Sequence, residues 1–96
     1  MIEIRQTDVY ARWFDRLRDR QAKSRILVRI RRLSLGNIGD AHSVGDGVSE
    51  LRIDCGPWYR IYFARQGQTL VVLLAGGAKS SQKRDIERAK ELARGL

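Results

Sequence analysis

The hydrophobic residues at the start of the chain follow two different periods. Residues 2–5 (IEIR) alternate apolar and polar side chains, which predicts a short strand. Beyond Thr7 or Asp8, either of which can cap a helix, the apolar residues recur at helical spacing. A first helix presents Val9, Trp13, Phe14 and Leu17 on one face, and a second, from about Arg20 to Leu35, presents Ala22, Ile26, Leu27, Ile30 and Leu33. We expect these helices to form a hairpin over a common core.

The rest of the chain changes to a period of two. Residues 36–49 are polar and rich in glycine, so we expect a loop there. Three strand-like runs follow, at 48–54, 58–65 and 69–75. Gly56-Pro57 and residues 66–68 join them as hairpins, and a closing helix begins near Ser80 or Ser81. The order β-α-α-β-β-β-α predicts one α+β domain over residues 1–96, with a helical hairpin and a C-terminal helix on a largely antiparallel sheet.

Within residues 50–63, the first two of these runs each contain one arginine, and strand geometry places both, Arg52 and Arg60, on one face. The apolar residues of the two runs must enter the core together. Because successive side chains of a strand point to opposite faces, Arg52, Arg60 and Tyr62 then share the face away from that core. A hairpin centred on residues 56–58 sets Asp54 opposite Arg60, and a slip of two residues sets Arg52 opposite Arg60. A surface ion pair between Asp54 and Arg60 is the alternative that involves no ligand.

The third run, LVVLLA, is apolar on both faces and is typical of a central strand. It ends at Gly76-Gly77, and Lys79 follows at the start of the last helix. A helix N-terminus favours anions, so Lys79 at this point suits a phosphate group. The segment GGAKSS lacks the spacing of a nucleotide-binding P-loop, which argues against an NTPase. Together, Arg52, Arg60 and Lys79 suit phosphate chemistry by charge and hydrogen bonding.

The formal net charge of +8 is concentrated in one segment. Residues 12–32 contain nine Arg or Lys residues and two Asp residues, so they supply seven of the eight excess charges (9 − 2 = 7). A basic field on one side of a protein attracts polyanions and speeds their encounter. Nucleic acid and an acidic partner protein both satisfy this charge, and the charge alone does not choose between them.

Several classes of protein are disfavoured by the composition. The lone Cys55 cannot form an internal disulfide, which fits a reducing cytoplasm. The first residues lack the layout of a signal peptide, and the longest apolar run has only strand length, so we expect no membrane association. No carboxylate pair, metal-ligand cluster or hydrolase triad is visible, and we expect neither a cofactor nor a metal.

The segments SVGDGVSELRIDCGPWYRIYF (43–63) and LVVLLAGGAKSSQKRDIERAKELA (70–93) resemble the RelE/ParE toxin superfamily. The resemblance is closest to the HigB-like branch, also described as phage-derived Gp49-like proteins, and it covers almost the whole chain. It implies the RelE-like fold and the toxin of a bacterial type II toxin–antitoxin pair. The implied partner is a HigA-like helix-turn-helix antitoxin, through which alone the chain would reach operator DNA.

RelE and HigB toxins cut mRNA in the ribosomal A site, so the resemblance implies a metal-independent endoribonuclease. The ribose 2′-OH attacks the adjacent phosphate and leaves a 2′,3′-cyclic phosphate and a 5′-OH. By motif position, Arg60 matches the family's transition-state arginine. Arg52 matches a basic residue that contacts the scissile phosphate or acts as an acid, and Lys79 matches the basic position at the strand end.

The proton acceptor is the part of the family pattern that this sequence lacks. RelE-type toxins often have a tyrosine or histidine on the last helix, whereas this helix begins SSQKRDIERA. Tyr62, His42 or Asp85 would have to replace it, and Tyr62 is grouped with the catalytic candidates because it shares their face.

The resemblance also assigns a target to the basic residues, which would contact the rRNA backbone without reading its sequence. The residues expected in this role are Arg16, Arg20, Lys23, Arg25, Arg29, Arg32 and Lys83. Two alternatives stay open. ParE-like members share the fold and poison DNA gyrase, and a non-enzymatic basic module bound by an antitoxin would use its arginines only structurally.

Overall fold

A five-stranded sheet forms the centre of the computed structural model, which describes all of residues 1–96. The elements are β1 (Glu3–Gln6), α1 (Asp8–Arg16), α2 (Arg20–Ser34), β2 (Ala41–Gly45), β3 (Val48–Arg52), β4 (Arg60–Gln66), β5 (Leu70–Gly77) and α3 (Gln82–Arg94), with a 3-10 turn at Lys79–Ser81. In the strand order β1-β5-β4-β3-β2, only β1 and β5 run parallel. The α+β class, the largely antiparallel sheet, the helical hairpin and the C-terminal helix are therefore confirmed.

Both helices of the hairpin begin at a residue whose side chain accepts a backbone hydrogen bond. Thr7 Oγ1 accepts from the Tyr10 amide at 3.1 Å, and Asp19 Oδ1 accepts from the Ala22 amide at 3.0 Å. Each bond satisfies one of the N–H groups that a helix start leaves unpaired. Thr7 Oγ1 also donates to the Leu74 carbonyl of β5 at 2.6 Å, which fixes the start of α1 to the sheet.

None of the helices combines the length and the apolar character needed to cross a membrane.

Each face of the sheet is covered by helix. On one face α1 and α2 pack over a core of Tyr10, Ile26, Leu33, Leu51, Ile53, Ile61, Phe63, Val71 and Leu73. On the other face α3 packs over Val48, Tyr62, Ala64, Val72, Leu74, Ala75 and Ala89. The face of Arg52, Arg60 and Tyr62, predicted to lie away from the core, therefore contains a second core for most of its area. The modest apolar stripe of α3 is wide enough to cover the central strands there.

The prediction of a loop over residues 36–49 is wrong in part. Residues 41–45 form β2, which pairs antiparallel with β3 at the edge of the sheet. Asp46 and Gly47 make the turn with φ values of 55° and 76°, a conformation in which Gly is unstrained. An edge strand needs only one partner and buries few side chains, so the sequence AHSVG shows no apolar run that would predict it.

Leu27 was predicted to lie in the core and does not. Its side chain is 55% exposed, and the neighbouring Val28 is 48% exposed. The buried stripe of α2 runs instead along Ala22, Ile26 and Leu33, and the helix turns Leu27 and Val28 away from it. Two large apolar side chains are thereby left on the basic surface of α2.

Gly76 in β5 lies against the indole ring of Trp13, and a Cβ atom added there would overlap that ring. We expect Gly76→Ala to lower the free energy of unfolding by about 1–3 kcal/mol, since overpacking forces a bulky core side chain out of place. For a domain of this size, each kcal/mol lowers Tm by roughly 4–8 °C, measurable by circular dichroism.

The matched control is Gly95→Ala. Gly95 follows α3 with φ −88°, and the nearest atom to an added Cβ is the Leu92 carbonyl oxygen at an ordinary 3.5 Å. This variant is expected to unfold within about 0.5 kcal/mol of the wild type. Equal melting temperatures for the two variants would contradict the close contact between Gly76 and Trp13.

Candidate functional site

The register of β3 and β4 sets two arginines directly against each other. Arg52 pairs with Arg60, and Glu50 pairs with Tyr62. The prediction that Arg52, Arg60 and Tyr62 share one face is confirmed, and of the two registers considered the structure has the one slipped by two residues. The alternative ion pair between Asp54 and Arg60 does not form, because Asp54 lies beyond the end of β3.

Glu50 is the reason that two guanidinium groups can occupy opposite positions. Arg52 Nε donates to Glu50 Oε1 at 3.0 Å, and Arg60 Nε lies 3.5 Å from the same oxygen. Gln82 Nε2, at the start of α3, donates to Glu50 Oε2 at 2.8 Å. Like charges placed opposite each other destabilise a sheet, so the carboxylate between them supplies the compensating charge.

The electrostatics of Glu50 reflect this position. The residue is 1% exposed. Burial by itself raises the pKa of Glu50, but hydrogen bonds from Arg52 and Gln82 and the charges of both arginines outweigh it, so the net pKa is lowered. Glu50 therefore stays ionised, and the trio of two arginines and one carboxylate carries an excess of one positive charge (2 − 1 = 1).

Sequence reasoning missed Glu50 as a member of the site. Strand parity by itself puts Glu50 on the face of Arg52, because the two residues are two positions apart. The acidic partner considered from the sequence was Asp54, because the hairpin was centred on residues 56–58. A buried carboxylate becomes recognisable only once the register puts it beside both arginines and under α3.

The two arginines differ in access to solvent. The Arg52 side chain is 40% exposed, whereas the Arg60 side chain is only 7% exposed. Arg60 Nη1 donates to the Trp58 carbonyl at 2.9 Å, which fixes its guanidinium group within the hairpin. Arg60 Nε is buried and makes no hydrogen bond. Arg52 can therefore meet an anion directly, and Arg60 supports the same position from beneath with a fixed charge.

Lys79 lies at the same end of the sheet. Its backbone N–H donates to the Pro57 carbonyl at 3.2 Å, which joins the turn after β5 to the tip of the β3–β4 hairpin. Gly77, two residues earlier, pairs with Arg60. The Lys79 side chain is exposed. Three of the four catalytic candidates, Arg52, Arg60 and Lys79, are thus brought to one end of the sheet, at the hairpin tip.

Tyr62, the fourth candidate, is placed in the apolar cluster under α3. It is completely buried, and its hydroxyl makes no hydrogen bond. Burial, followed by the nearby charges of Glu50 and Asp85, raises the pKa of Tyr62 well above its ordinary value. From this position the hydroxyl cannot reach a substrate or accept a proton, and Tyr62 serves as a core residue.

The other two residues considered as proton acceptors lie in different surroundings. Asp85, on α3, accepts a short hydrogen bond from Ser81 Oγ and sits so close to Gly77 that an added Cβ would overlap it. His42 is exposed on β2, directly across from Glu50, so the two side chains share a face. Asp40 Oδ1 lies 2.8 Å from His42 Nε2 and orients the imidazole.

Two of the residues expected to bind RNA are engaged with the protein's own backbone. Arg25 Nη1 donates to the Asp54 carbonyl and Arg29 Nη1 to the Arg52 carbonyl, both at 2.7 Å. The carbonyls at the end of β3 have no strand partner there, so α2 supplies donors for them. Arg25 and Arg29 thereby hold the end of β3 and, through it, the backbone of Arg52.

The remaining basic candidates keep more freedom. Lys23 is half-buried, with its ammonium 5.0 Å from the centre of the Phe14 ring. Arg16, Arg20 and Arg32 are exposed on the helical hairpin. Lys83 is exposed at the start of α3. The free basic surface is thus smaller than the charge count suggests.

Comparison with known proteins shows the family to which the chain belongs. Residues 12–94 match the family model described as "Phage derived protein Gp49-like (DUF891)". A protein of Haemophilus influenzae, described only as uncharacterized, is 48% identical over 95 residues, which is 99% of this chain and 96% of that protein. Both matches span β3, β4 and the turn that carries Lys79. The chain therefore belongs to the phage-derived Gp49-like family, which is associated with toxin–antitoxin systems.

Proposed function

We propose that this chain is the toxin of a type II toxin–antitoxin pair, and that it cleaves mRNA in the A site of the ribosome. The family supports a toxin. The observation that carries the cleavage chemistry is the pairing of Arg52 with Arg60 across the hairpin, held by the buried Glu50. An excess positive charge fixed in this way suits a phosphate whose negative charge increases during reaction.

The proposed reaction is transesterification within the RNA. The ribose 2′-oxygen loses its proton and bonds to the adjacent phosphorus, and the bond from phosphorus to the 5′-oxygen breaks. The departing 5′-oxygen takes up a proton, so the products are a 2′,3′-cyclic phosphate and a 5′-OH. The phosphorane-like intermediate state carries more charge than the starting phosphodiester, and fixed guanidinium groups stabilise it preferentially.

The side chains divide this work by their exposure. Arg52 donates hydrogen bonds to the non-bridging oxygens, because its guanidinium reaches solvent. Arg60 supplies a fixed charge behind Arg52, since Trp58 and Glu50 hold it within the hairpin. The exposed Lys79 ammonium, a point charge on a flexible side chain, approaches the same phosphate from the turn after β5.

His42 is the proton acceptor that best fits this site. A hydrogen bond from Nε2–H to Asp40 leaves Nδ1 free to accept a proton, the arrangement in which a carboxylate orients a general base. His42 lies one strand away from Glu50 and on the face of the arginines. Tyr62 is buried and Asp85 already accepts a hydrogen bond from Ser81, so neither offers a comparably free proton acceptor.

The proposal includes an antitoxin, the ribosome and mRNA as direct macromolecular partners. A HigA-like helix-turn-helix antitoxin neutralises the chain and connects it to operator DNA. The ribosome presents the mRNA, and the exposed cations Arg16, Arg20 and Lys83 contact rRNA phosphates without reading bases. The proposed activity is cytoplasmic, because ribosomes and mRNA are present there.

The proposal is tested by inducing the chain in a bacterium that lacks its antitoxin. We expect translation to stop and new mRNA 5′ ends, bearing 5′-OH groups, to map within codons positioned in the ribosomal A site. The induced arrest should disappear when the antitoxin is expressed as well. Continued translation together with a DNA-damage response would overturn the proposal and favour the gyrase inhibitor instead.

A further inference from the structure

A groove beside α2 exposes the apolar side chain of Val28, which the core does not use. It has a volume of about 330 Å³ and is lined by Ser24, Arg25, Val28, Arg29, Arg32, Ile53 and Asp54. Val28 faces it from α2 and remains about half exposed, and Leu27 is exposed on the adjoining helix surface. Leu35, the C-cap residue about two helical turns beyond Val28, is exposed as well.

The surroundings of this groove are strongly basic. Three arginines line it against one carboxylate, that of Asp54. The whole of α2 contains six Arg or Lys residues and no Asp or Glu. An occupant of the groove must therefore carry negative charge around an apolar centre.

The exposed apolar residues distinguish between a protein and an RNA occupant. Phosphate contacts need charge and hydrogen-bond donors, to which Val28 and Leu27 contribute nothing. An apolar centre bordered by arginines is instead the composition of a protein interface, in which arginine is enriched at the contact. We propose that this groove binds an acidic, amphipathic helical segment of a partner protein.

The groove lies on a different face of the sheet from the anion site, which Arg52, Arg60 and Lys79 form. Ile53 belongs to the core beneath α1 and α2, whereas Arg52 and Arg60 lie on the α3 face. A segment bound in the groove therefore covers the basic surface of α2 and leaves the anion site open. The inference gives the proposed antitoxin a place to bind, but it does not depend on RNA cleavage, because binding alone tests it.

The experiment uses the full chain and two fluorescent peptides of identical composition, rich in Glu and Leu. Each has about five helical turns, roughly 18 residues. One peptide repeats Leu at helical spacing along one face, and the other distributes the same Leu residues around the helix. By fluorescence anisotropy, we expect the amphipathic peptide to bind at least about tenfold more tightly than the distributed one.

Substitutions then locate the binding surface. Val28→Ser is expected to weaken binding of the amphipathic peptide about tenfold. Leu96→Ser is the matched control, since Leu96 is 52% exposed and lies outside the groove. Circular dichroism verifies that both variants fold. A single-stranded RNA oligonucleotide should bind wild type and Val28→Ser equally.

Three results would overturn the inference. Equal affinity for the two peptides would mean that the groove recognises charge alone, and no saturable binding of either would mean that it does not bind an acidic helix. Weakening of RNA binding by Val28→Ser, with the peptide unaffected, would assign the surface to RNA. None of these results bears on the A-site cleavage proposed above, which the mapping of mRNA 5′ ends tests separately.

Discussion

Arg52→Ala is expected to end the growth arrest that the proposed function predicts on induction, while leaving the fold intact. Removing one donor from a site that stabilises developing charge slows the reaction about 10²–10³-fold. The cost to the fold is small, because Arg52 is partly exposed and Glu50 keeps its contacts with Arg60 and Gln82. The rate at which new mRNA 5′ ends appear after induction measures the first effect, and thermal unfolding measures the second.

Arg65→Ala is the matched control for this experiment. Arg65 is an arginine near the opposite end of β4, is exposed, and makes a 3.3 Å hydrogen bond only to the nearby Gln68 carbonyl. Its loss should leave the arrest unchanged. If Arg52→Ala is as toxic as Arg65→Ala, the proposed anion site is wrong. Arg52→Lys should retain part of the activity, since lysine keeps the charge but not the fork of donors.

Arg60 is the less informative target, although the family resemblance gives it the central role. Its side chain is nearly buried and holds the Trp58 carbonyl at a residue whose φ is 54°. A non-glycine residue in that conformation is strained and needs such support. Substitution of Arg60 would therefore disturb the hairpin and the anion site together.

Strand parity was sufficient to predict the face of the two arginines from the sequence. The alternation of Leu51 and Ile53 with Arg52 leaves no other solution once the apolar residues are buried. Parity does not fix the register, however, and both registers considered satisfy it. The structure has Arg52 opposite Arg60 because the loop between β3 and β4 spans residues 53–59, longer than the turn expected around Gly56-Pro57.

Other features depended on packing that no local pattern reveals. Tyr62 was grouped with the catalytic candidates because it shares the face of the two arginines, but α3 covers it. The roles of Arg25 and Arg29 depended on where β3 ends, since unpaired carbonyls there accept their hydrogen bonds. Leu27 fitted the helical pattern of the core and is nevertheless exposed, because the contact face of α2 is narrower than its apolar arc.

Glu50→Gln is expected to destabilise the fold more than any other single substitution in the site. Glutamine keeps the shape of the side chain but removes the charge that separates Arg52 from Arg60. Loss of one member of a buried ionic group costs about 3–5 kcal/mol, and the lower end applies here because Arg52 is partly exposed. Urea unfolding at neutral pH measures the difference. The control is Glu3→Gln, which breaks an exposed pair with Arg5 and should cost at most about 1 kcal/mol.

The pH dependence of the unfolding free energy distinguishes the contribution of the Glu50 charge from that of its packing. Because the pKa of Glu50 is lowered in the folded state, its ionised form stabilises the fold above the pKa of an unfolded glutamate, about 4.3. That stabilisation is lost as the pH falls through the lower pKa of the folded state. The gap in unfolding free energy between wild type and Glu50→Gln should therefore be widest near neutral pH and shrink steadily below about pH 4. A gap that stays constant down to acidic pH would mean that Glu50 acts through shape alone, and that the two arginines do not need its charge.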